Sequence, residues 1–316
     1  MSAEPVVGHR RPLLGALLVL GAAVLWGTLG VFGKYLYERG LTALEVASAR
    51  AAVGALGLGL WHLVHAPAAL RVRARDLPLL AAYGVIGFAL FELLFFAALE
   101  RTTVAIAVAL LYTAPAFVLV LSWATGDERP ERQRLLPLIL VLLGVTLVTG
   151  AAGALVAGAT PVSTAAILIG LASGLTYGLY TWFGKRAVAR NAPSVVIFYV
   201  FVFAAAVLAV PAPPWRIAAE HTDSLAVLLL LGLVPTLGAY VVYAMALQHL
   251  PGSTAAMLAS IEPVIAALLG FWILGEPLAA DRAAGVLVIV AASGLLARSL
   301  TRQRAVPALP DPVAPP

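Results

Sequence analysis

The stretch that decides the fold is Ser253 to Glu276, which reads STAAMLASIEPVIAALLGFWILGE. As a helix it is about long enough to cross the hydrocarbon core of a bilayer, and Glu262 and Pro263 lie near its middle. The stretch Ala105 to Glu128, AIAVALLYTAPAFVLVLSWATGDE, follows the same plan 148 positions earlier, with Pro115 in the place of Pro263. The chain therefore contains two copies of one membrane-spanning unit.

The two prolines predict where these helices are interrupted. A proline inside a spanning helix lacks a backbone N–H, so the carbonyl four residues earlier loses its hydrogen-bond donor. The carbonyls concerned belong to Leu111 and Ala259. Interruptions at corresponding places of two halves are typical of transport sites. Pro115 and Pro263 are therefore predicted to be hinge residues.

Composition places the chain in a membrane. Of its 316 residues, 62% are hydrophobic and only 11% are charged, whereas about one quarter of the residues in soluble domains are charged. The length accommodates about ten spans of roughly 20 residues with short connections. Too little polar sequence is left for a separate catalytic domain, so no enzyme is expected. The absence of cysteine excludes disulfides and thiolate metal sites.

The apolar runs predict an all-α polytopic membrane protein with ten transmembrane helices. Their approximate bounds are residues 13–33, 44–63, 77–98, 102–123, 135–154, 164–184, 194–210, 225–247, 253–274 and 283–297. Trp26-Gly27 in the first run recurs 151 positions later as Tyr177-Gly178, so the first run is a retained span and not a signal peptide. Five spans per half is an odd number, so the two five-helix repeats are predicted to be inverted relative to each other.

The chain is predicted to have five parts. They are a cytoplasmic N-terminal tail (1–12), a first five-helix repeat (13–154), a linker (155–163), a second five-helix repeat (164–298) and a disordered cytoplasmic tail (299–316). With both termini in the cytoplasm, cytoplasmic segments hold 14 Lys and Arg residues and outer loops hold 5. This bias is the usual one for membrane proteins. The prediction is a multi-pass protein of the inner (plasma) membrane, in contact with lipid and not with nucleic acid.

The second copy resembles the EamA-type members of the drug/metabolite transporter superfamily. The similar residues are Ile261-Glu262-Pro263, Leu274-Gly275-Glu276, Gly285 and Gly294, with Trp26-Gly27 and Ala47 to Arg50 in the first copy. The resemblance covers nearly the whole chain and implies a ten-span transporter without a cofactor. Its substrate stays open, because the superfamily is associated with amino acids, sugars, carboxylates, nucleobases and cationic drugs.

Three charged residues lie well inside the predicted spans: Arg50, Glu92 and Glu262. Glu45 lies nearer the outer end of the second span and is a competing partner for Arg50. Each of the three costs about 2.5 to 3.5 kcal/mol on insertion scales, so each needs a reason. At 1.5 Å per residue, Arg50 and Glu92 both lie about 9 Å from the outer ends of their helices, where they can meet. Two interpretations stay open. The two residues form a structural ion pair, or they contact substrate or exchange a proton during transport.

Glu262 lies near the membrane midplane, beside the predicted break. One interpretation is a cation or proton site, since a buried carboxylate without a cation can take up and release a proton within a cycle. The other is an acid common to the family whatever the substrate, bonded to nearby backbone or to a neighbouring helix. The first repeat has Ala114 at the corresponding position, so it supplies no second acid.

Aromatic and small polar residues occupy corresponding parts of the two halves. They are predicted to line a cavity for a zwitterion with an apolar side chain, although any single aromatic can instead face lipid. The predicted lining residues are Trp26, Thr28, Glu92, Phe95, Tyr112, Tyr177, Tyr180, Tyr240, Tyr243 and Ser260.

The sequence thus predicts a secondary transporter that exports a small organic metabolite, an amino acid or a related compound, by alternating access. Neither a cofactor nor a metal is expected, a proton is the candidate coupling ion, and both a monomer and a homodimer are compatible. A flippase would need basic headgroup ligands, and Arg50 is the only basic residue within the predicted spans. A membrane scaffold is the third alternative, and it would be expected to carry an additional domain.

Overall fold

The computed structural model describes residues 11–156, 162–275 and 279–304, and no strand occurs among them. Within these ranges, eight helices are long and apolar enough to cross a membrane. The predicted all-α polytopic membrane protein is confirmed at this level, whereas ten spans in two inverted repeats stay a prediction. Most of the predicted N-terminal tail, part of the linker and residues 305–316 lie outside the described residues.

We label the long helices α1 to α10 in chain order. They are α1 Pro12–Tyr37, α2 Ala43–His65, α3 Ala74–Leu99, α4 Val104–Ala124, α5 Leu135–Val148, α6 Thr164–Ala187, α7 Pro193–Leu208, α8 Thr222–His249, α9 Gly252–Leu274 and α10 Ala280–Arg304. Helices α5 and α7 are shorter than the other eight. A short helix, Pro214–Glu220, lies between α7 and α8.

Two predicted boundaries differ from the structure. Helix α5 ends at Val148, before the predicted end of the fifth span, because Gly150 adopts a left-handed conformation with φ of 76°, which favours glycine and ends a helix. A short helix, Ala151–Val156, follows it. At the other end of the chain, α10 continues to Arg304, through residues that were assigned to the disordered tail.

Several helices of each half pack against helices of the other half. Helix α1 packs against α8 and α9, and its counterpart α6 packs against α3 and α4; α2 packs against α7, and α5 against α10. A Cβ atom on Gly27 of α1 would lie 2.5 Å from Cγ2 of Ile265, and one on Gly178 of α6 would lie 3.1 Å from Cβ of Phe117. Ile265 and Phe117 are 148 positions apart. Two repeats related by a two-fold axis would produce this pattern of contacts.

Helices α4 and α9 are interrupted at the same place. Helix α4 consists of Val104–Leu111 and Ala114–Ala124, and α9 consists of Gly252–Ala259 and Glu262–Leu274. A shift of 148 positions superimposes both ends of the first segments and the start of the second segments. The interruption is therefore a property of the repeat.

The prolines lie inside the new segments and not at the centre of a kink. Pro115 is the second residue of its segment, and Pro263 is the second residue of its own. Each second segment begins with a new first turn. In α4, the N–H of Ala116 donates to the carbonyl of Thr113 over 2.9 Å. A helix does not need the N–H groups of its first turn, so proline fits there. Each interruption lies between the predicted free carbonyl, of Leu111 or Ala259, and the proline, and it ends two residues before the proline.

Helices α3 and α8 each contain a π-helical segment, Tyr83–Leu90 and Gly232–Gly238. The two segments begin 149 positions apart. Each ends two residues before a polar residue of the central site, Glu92 on α3 and Tyr240 on α8. Such segments are rare and frequently occur at functional sites. They orient these two side chains toward the interior between the repeats.

Candidate functional site

A central cavity of about 60 Å³ lies between the two repeats. It is lined by residues of seven helices from both halves of the chain: Trp26, Leu29, Arg50, Phe91, Leu111, Tyr112, Tyr177, Tyr240 and Glu262. Four of the ten predicted lining residues are among them, and all four are aromatic. The interruptions of α4 and α9 adjoin this cavity through Tyr112 and Glu262.

Arg50 on α2 forms a buried ion pair with Glu92 on α3. Their side chains are 9% and 3% exposed, and the Tyr240 hydroxyl lies within hydrogen-bonding reach of the Arg50 guanidinium. The guanidinium carbon also lies 5.5 Å from the centre of the Phe88 ring, where a cation–π attraction operates. Removing one partner of such a pair leaves a buried charge without compensation and costs about 3–5 kcal/mol. Glu45, the competing partner considered for Arg50, instead accepts the backbone N–H of Thr42 over 2.7 Å.

Glu262 opens the second segment of α9 and is half-buried beside the cavity. The Tyr112 hydroxyl lies within hydrogen-bonding reach of its carboxyl group. Among the described residues that line the cavity, Arg50 is the only cation, and it already pairs with Glu92. With both carboxyl groups ionised, the site therefore carries one negative charge in excess.

Aromatic rings enclose the space around these charges. The Trp26 and Tyr240 rings meet edge to face with centroids 5.1 Å apart, and Phe91 stacks on Tyr177 at 5.0 Å. The Trp26 indole N–H is buried and has no hydrogen-bond partner in the described part of the chain. Buried polar groups are nearly always paired in folded proteins. This N–H is therefore available to an acceptor on a bound solute.

The structure places two other predicted tyrosines next to the cavity without lining it. Tyr180 packs against Tyr83, with ring centroids 4.6 Å apart. Tyr243 shares a hydrogen bond of 2.9 Å with Thr181 and lines a smaller space of about 10 Å³. That space lies on the far side of Tyr112 and Tyr177, which line both cavities.

Three further predicted residues contact their own helices and do not line the cavity. Helix α1 consists of the segments Pro12–Gly27 and Leu29–Tyr37, and between them the Thr28 hydroxyl donates to the Leu25 carbonyl over 2.7 Å. The Ser260 hydroxyl donates to the Ala256 carbonyl over 3.4 Å at the interruption of α9. Phe95 packs beside Phe91, outside the cavity lining, with ring centroids 6.4 Å apart. Their contribution to the site is therefore indirect.

Sequence reasoning missed the apolar part of the lining, Leu29, Phe91 and Leu111. In a largely apolar chain, an apolar residue that lines a cavity cannot be distinguished by its type from one that faces lipid. The only available signal was the position of these residues next to Thr28, Glu92 and Tyr112. It also missed a buried cluster of charges at the far end of α4. The signal there was the run of charged residues from Asp127 to Arg134.

Comparison with known proteins gives one consistent result. The model of the EamA-like transporter family matches residues 13–150 and again 164–298. An uncharacterized transporter of Archaeoglobus fulgidus is 31% identical over 288 residues, which cover 90% of this chain and 97% of that protein. The uncharacterized transporter YwfM of Bacillus subtilis is 27% identical over 87% of this chain and 90% of its own length. A solved crystal structure shares the fold with a TM-score of 0.75 and 19% identity, over 92% of this chain and 99% of that one.

Proposed function

The chain belongs to the EamA-like transporter family, and we propose that it is a secondary transporter that exports a small amine-bearing metabolite, an amino acid or a related compound, by alternating access. The observation that carries the proposal is the cavity between the two repeats, which two interrupted helices enter from opposite halves. Discontinuous helices and a site at the repeat interface are the recurring design of secondary transporters.

The charges of the cavity favour an amino group on the solute. Glu262 is the one carboxyl group in the lining that has no ion-pair partner among the described residues. An ammonium group beside it would also face the rings of Tyr112 and Tyr177, which attract cations. This arrangement supports recognition of an amine by charge and by aromatic faces together.

The opposite side of the cavity suits a carboxylate and an apolar side chain. The free indole N–H of Trp26 and the guanidinium of Arg50 supply donors, and Leu29 and Phe91 supply apolar surface. The cavity of about 60 Å³ is far smaller than the roughly 300 Å³ of ordinary ligand pockets. Binding must therefore widen it, which the interrupted helices permit.

Glu262 also provides a means of coupling to protons. A carboxyl group in a low-dielectric site binds either a proton or a cationic solute, and the two exclude each other. Proton entry from outside would then release the solute there and drive its export. A flippase fits these observations less well, because the single basic residue of the lining is neutralised by Glu92.

The test is transport into liposomes that contain the purified protein. Amino acids with apolar side chains, sugars, dicarboxylates and quaternary amines are compared with and without a pH gradient. We expect transport of the amine-bearing solutes, accelerated by the gradient. In Glu262→Gln, the pH dependence should flatten because the titrating group is gone while its shape remains.

The matched control is Glu100→Gln, whose side chain is 75% exposed and pairs with Arg101 outside the cavity. This variant should transport as the wild type does. Transport of sugars or dicarboxylates alone would contradict the substrate class. An unchanged pH profile in Glu262→Gln would show that this acid is structural.

A further inference from the structure

Three cavities follow one another along α4, α6 and α9. Beyond the central cavity lies the space of about 10 Å³, and beyond that a third cavity of about 270 Å³ at the predicted cytoplasmic end. The residues that line them in turn are Tyr177, Thr181 and Lys185 on α6, and Glu262, Ala256 and Gly252 on α9. The lining advances by four residues, about one turn, at each step along α6, and by six and then four residues along α9. The three cavities therefore mark one route.

The route is closed at Gly252. A Cβ atom there would lie 3.6 Å from Val118 on α4, 3.7 Å from Thr181 on α6 and 3.8 Å from Glu128. A space of about one methyl group therefore separates the three helices at this point. Every residue of Gly252–Ala259 is buried, whereas Ile261 in the interruption and Glu262 just after it are partly exposed.

A cluster of three residues from both repeats holds the closure. Glu128, just after α4, accepts the backbone N–H of Ser253 over 3.0 Å and the Ser253 hydroxyl over 2.5 Å. Arg134 pairs with Glu128 and donates to the Ser253 hydroxyl over 2.7 Å. The side chains of Glu128 and Arg134 are only 7% and 13% exposed. A carboxylate of the first repeat thus satisfies the N-terminus of α9 in the second.

We propose that Glu128, Arg134 and Ser253 form the inner gate of the transport route, with Glu128 as the gating residue. The inference rests on the proposed transport function. Opening the route at Gly252 requires α4 and α9 to separate, and Glu128 and Ser253 lie on opposite sides of that separation. The charge of Glu128 then loses donors that only water can replace. The cluster therefore favours the closed state until water enters from the cytoplasmic side.

Because the chain contains no cysteine, one introduced thiol reports on the gate. Ala256→Cys places it in the small cavity behind the closure. Inside-out vesicles are treated with a membrane-impermeant maleimide without any solute present, and the rate of modification is measured. In Glu128→Gln or Ser253→Ala we expect modification about tenfold faster or more, because loss of one partner of a buried charge cluster shifts the population toward the open state.

The matched control is Glu131→Gln. Glu131 also pairs with Arg134, but its side chain is 33% exposed, and Ser253 is not among its partners in the described structure. Exposed pairs contribute little, so its rate should stay within about twofold of the parent. An equal rate in Glu128→Gln, Ser253→Ala and the parent, with all three folded, would overturn the proposal.

A cross-link keeps the proposal testable should those variants fold poorly. Cysteines in place of Glu128 and Ser253 should form a disulfide on oxidation and protect Ala256→Cys from the maleimide, as read by mass spectrometry of that peptide. Reduction should restore its modification. A cross-link that forms without protecting the thiol would place the closure elsewhere. Since no solute is present, this outcome is independent of whether the liposome assay identifies a substrate.

Discussion

The first and second repeats share their backbone interruptions but differ in what stands beside them. After the interruption, α4 presents Ala114, which is 3% exposed, and α9 presents Glu262, which is half-buried at the cavity. After the π-helical segment, α3 presents Glu92 and α8 presents Tyr240. In each pair one repeat carries the acid and the other a neutral residue. The two repeats therefore share the shape of the backbone, whereas at each of these positions only one of them carries a charge.

This difference separates two tasks. Interruptions at matched positions would allow both repeats to bend in the same way, as the proposed alternating access requires. In the proposed transporter, a single set of charges would give the solute one orientation in the cavity, since a second acid in the place of Ala114 would repel Glu262 and cost the energy of burying another charge. The shared backbone therefore fits the proposed movement, and the unequal charges fit the proposed recognition of the solute.

The largest expected effect concerns the ion pair that only the first repeat carries. Arg50→Met and Glu92→Gln should each destabilise the protein by about 3–5 kcal/mol, because each leaves a buried charge unpaired. The double variant should lose much less than the sum of the two, since neither charge remains. Thermal unfolding in detergent measures the three values. Additive losses would mean that the two residues are not energetically coupled, and Arg50 would then be free to bind an anionic group.

The next largest effect on stability is expected when an acid is introduced into the first repeat at the position that corresponds to Glu262. Ala114→Glu should destabilise the protein by about 2.5–3.5 kcal/mol, the insertion cost of a charge at the membrane centre. Glu262→Ala should cost less than about 1 kcal/mol or stabilise slightly, because it removes a charge without an ion-pair partner. The same unfolding assay compares them. Equal effects would show that the two positions are equivalent and that the asymmetry has no energetic basis.

The smallest expected effect tests the shared backbone. Pro115→Ala and Pro263→Ala should each change stability by less than about 1 kcal/mol, since both prolines occupy a first helical turn where their N–H is not needed. Both variants should slow transport of every solute to a similar degree if the prolines are hinges. Initial rates in liposomes provide the comparison. A loss confined to one solute would make that proline part of the binding site.

Sequence reasoning reached the features that depend on period, length and the cost of a buried charge. The apolar runs gave most of the helices, and the shift of 148 positions located matching interruptions. Equal depth along their helices predicted that Arg50 and Glu92 can meet, and the two residues form an ion pair. The family assignment, which rested on residues around Glu262 and Trp26, is confirmed. Such features are local, or follow from one distance along a helix axis.

What the sequence could not supply depends on tertiary packing. The π-helical segments have no local signal, because their extra residue is accommodated by neighbouring helices. The bonds between Glu128 and Ser253 join residues 125 positions apart, and a charged loop does not reveal which helix end it will reach. The sequence prediction placed Gly150 inside the fifth span, although its left-handed conformation ends α5.

Helix α6 runs unbroken from Thr164 to Ala187, whereas its counterpart α1 is interrupted at Thr28. Tyr177, Thr181 and Lys185 therefore keep a fixed spacing of about 6 Å along its axis, whichever way α4 and α9 bend. On the proposed route, a solute would move along the rigid helix α6 on one side, while α4 and α9 move on the other. A solute long enough to reach across about 6 Å could contact two successive side chains of α6 at once, whereas a shorter one would have to leave one side chain before it reaches the next.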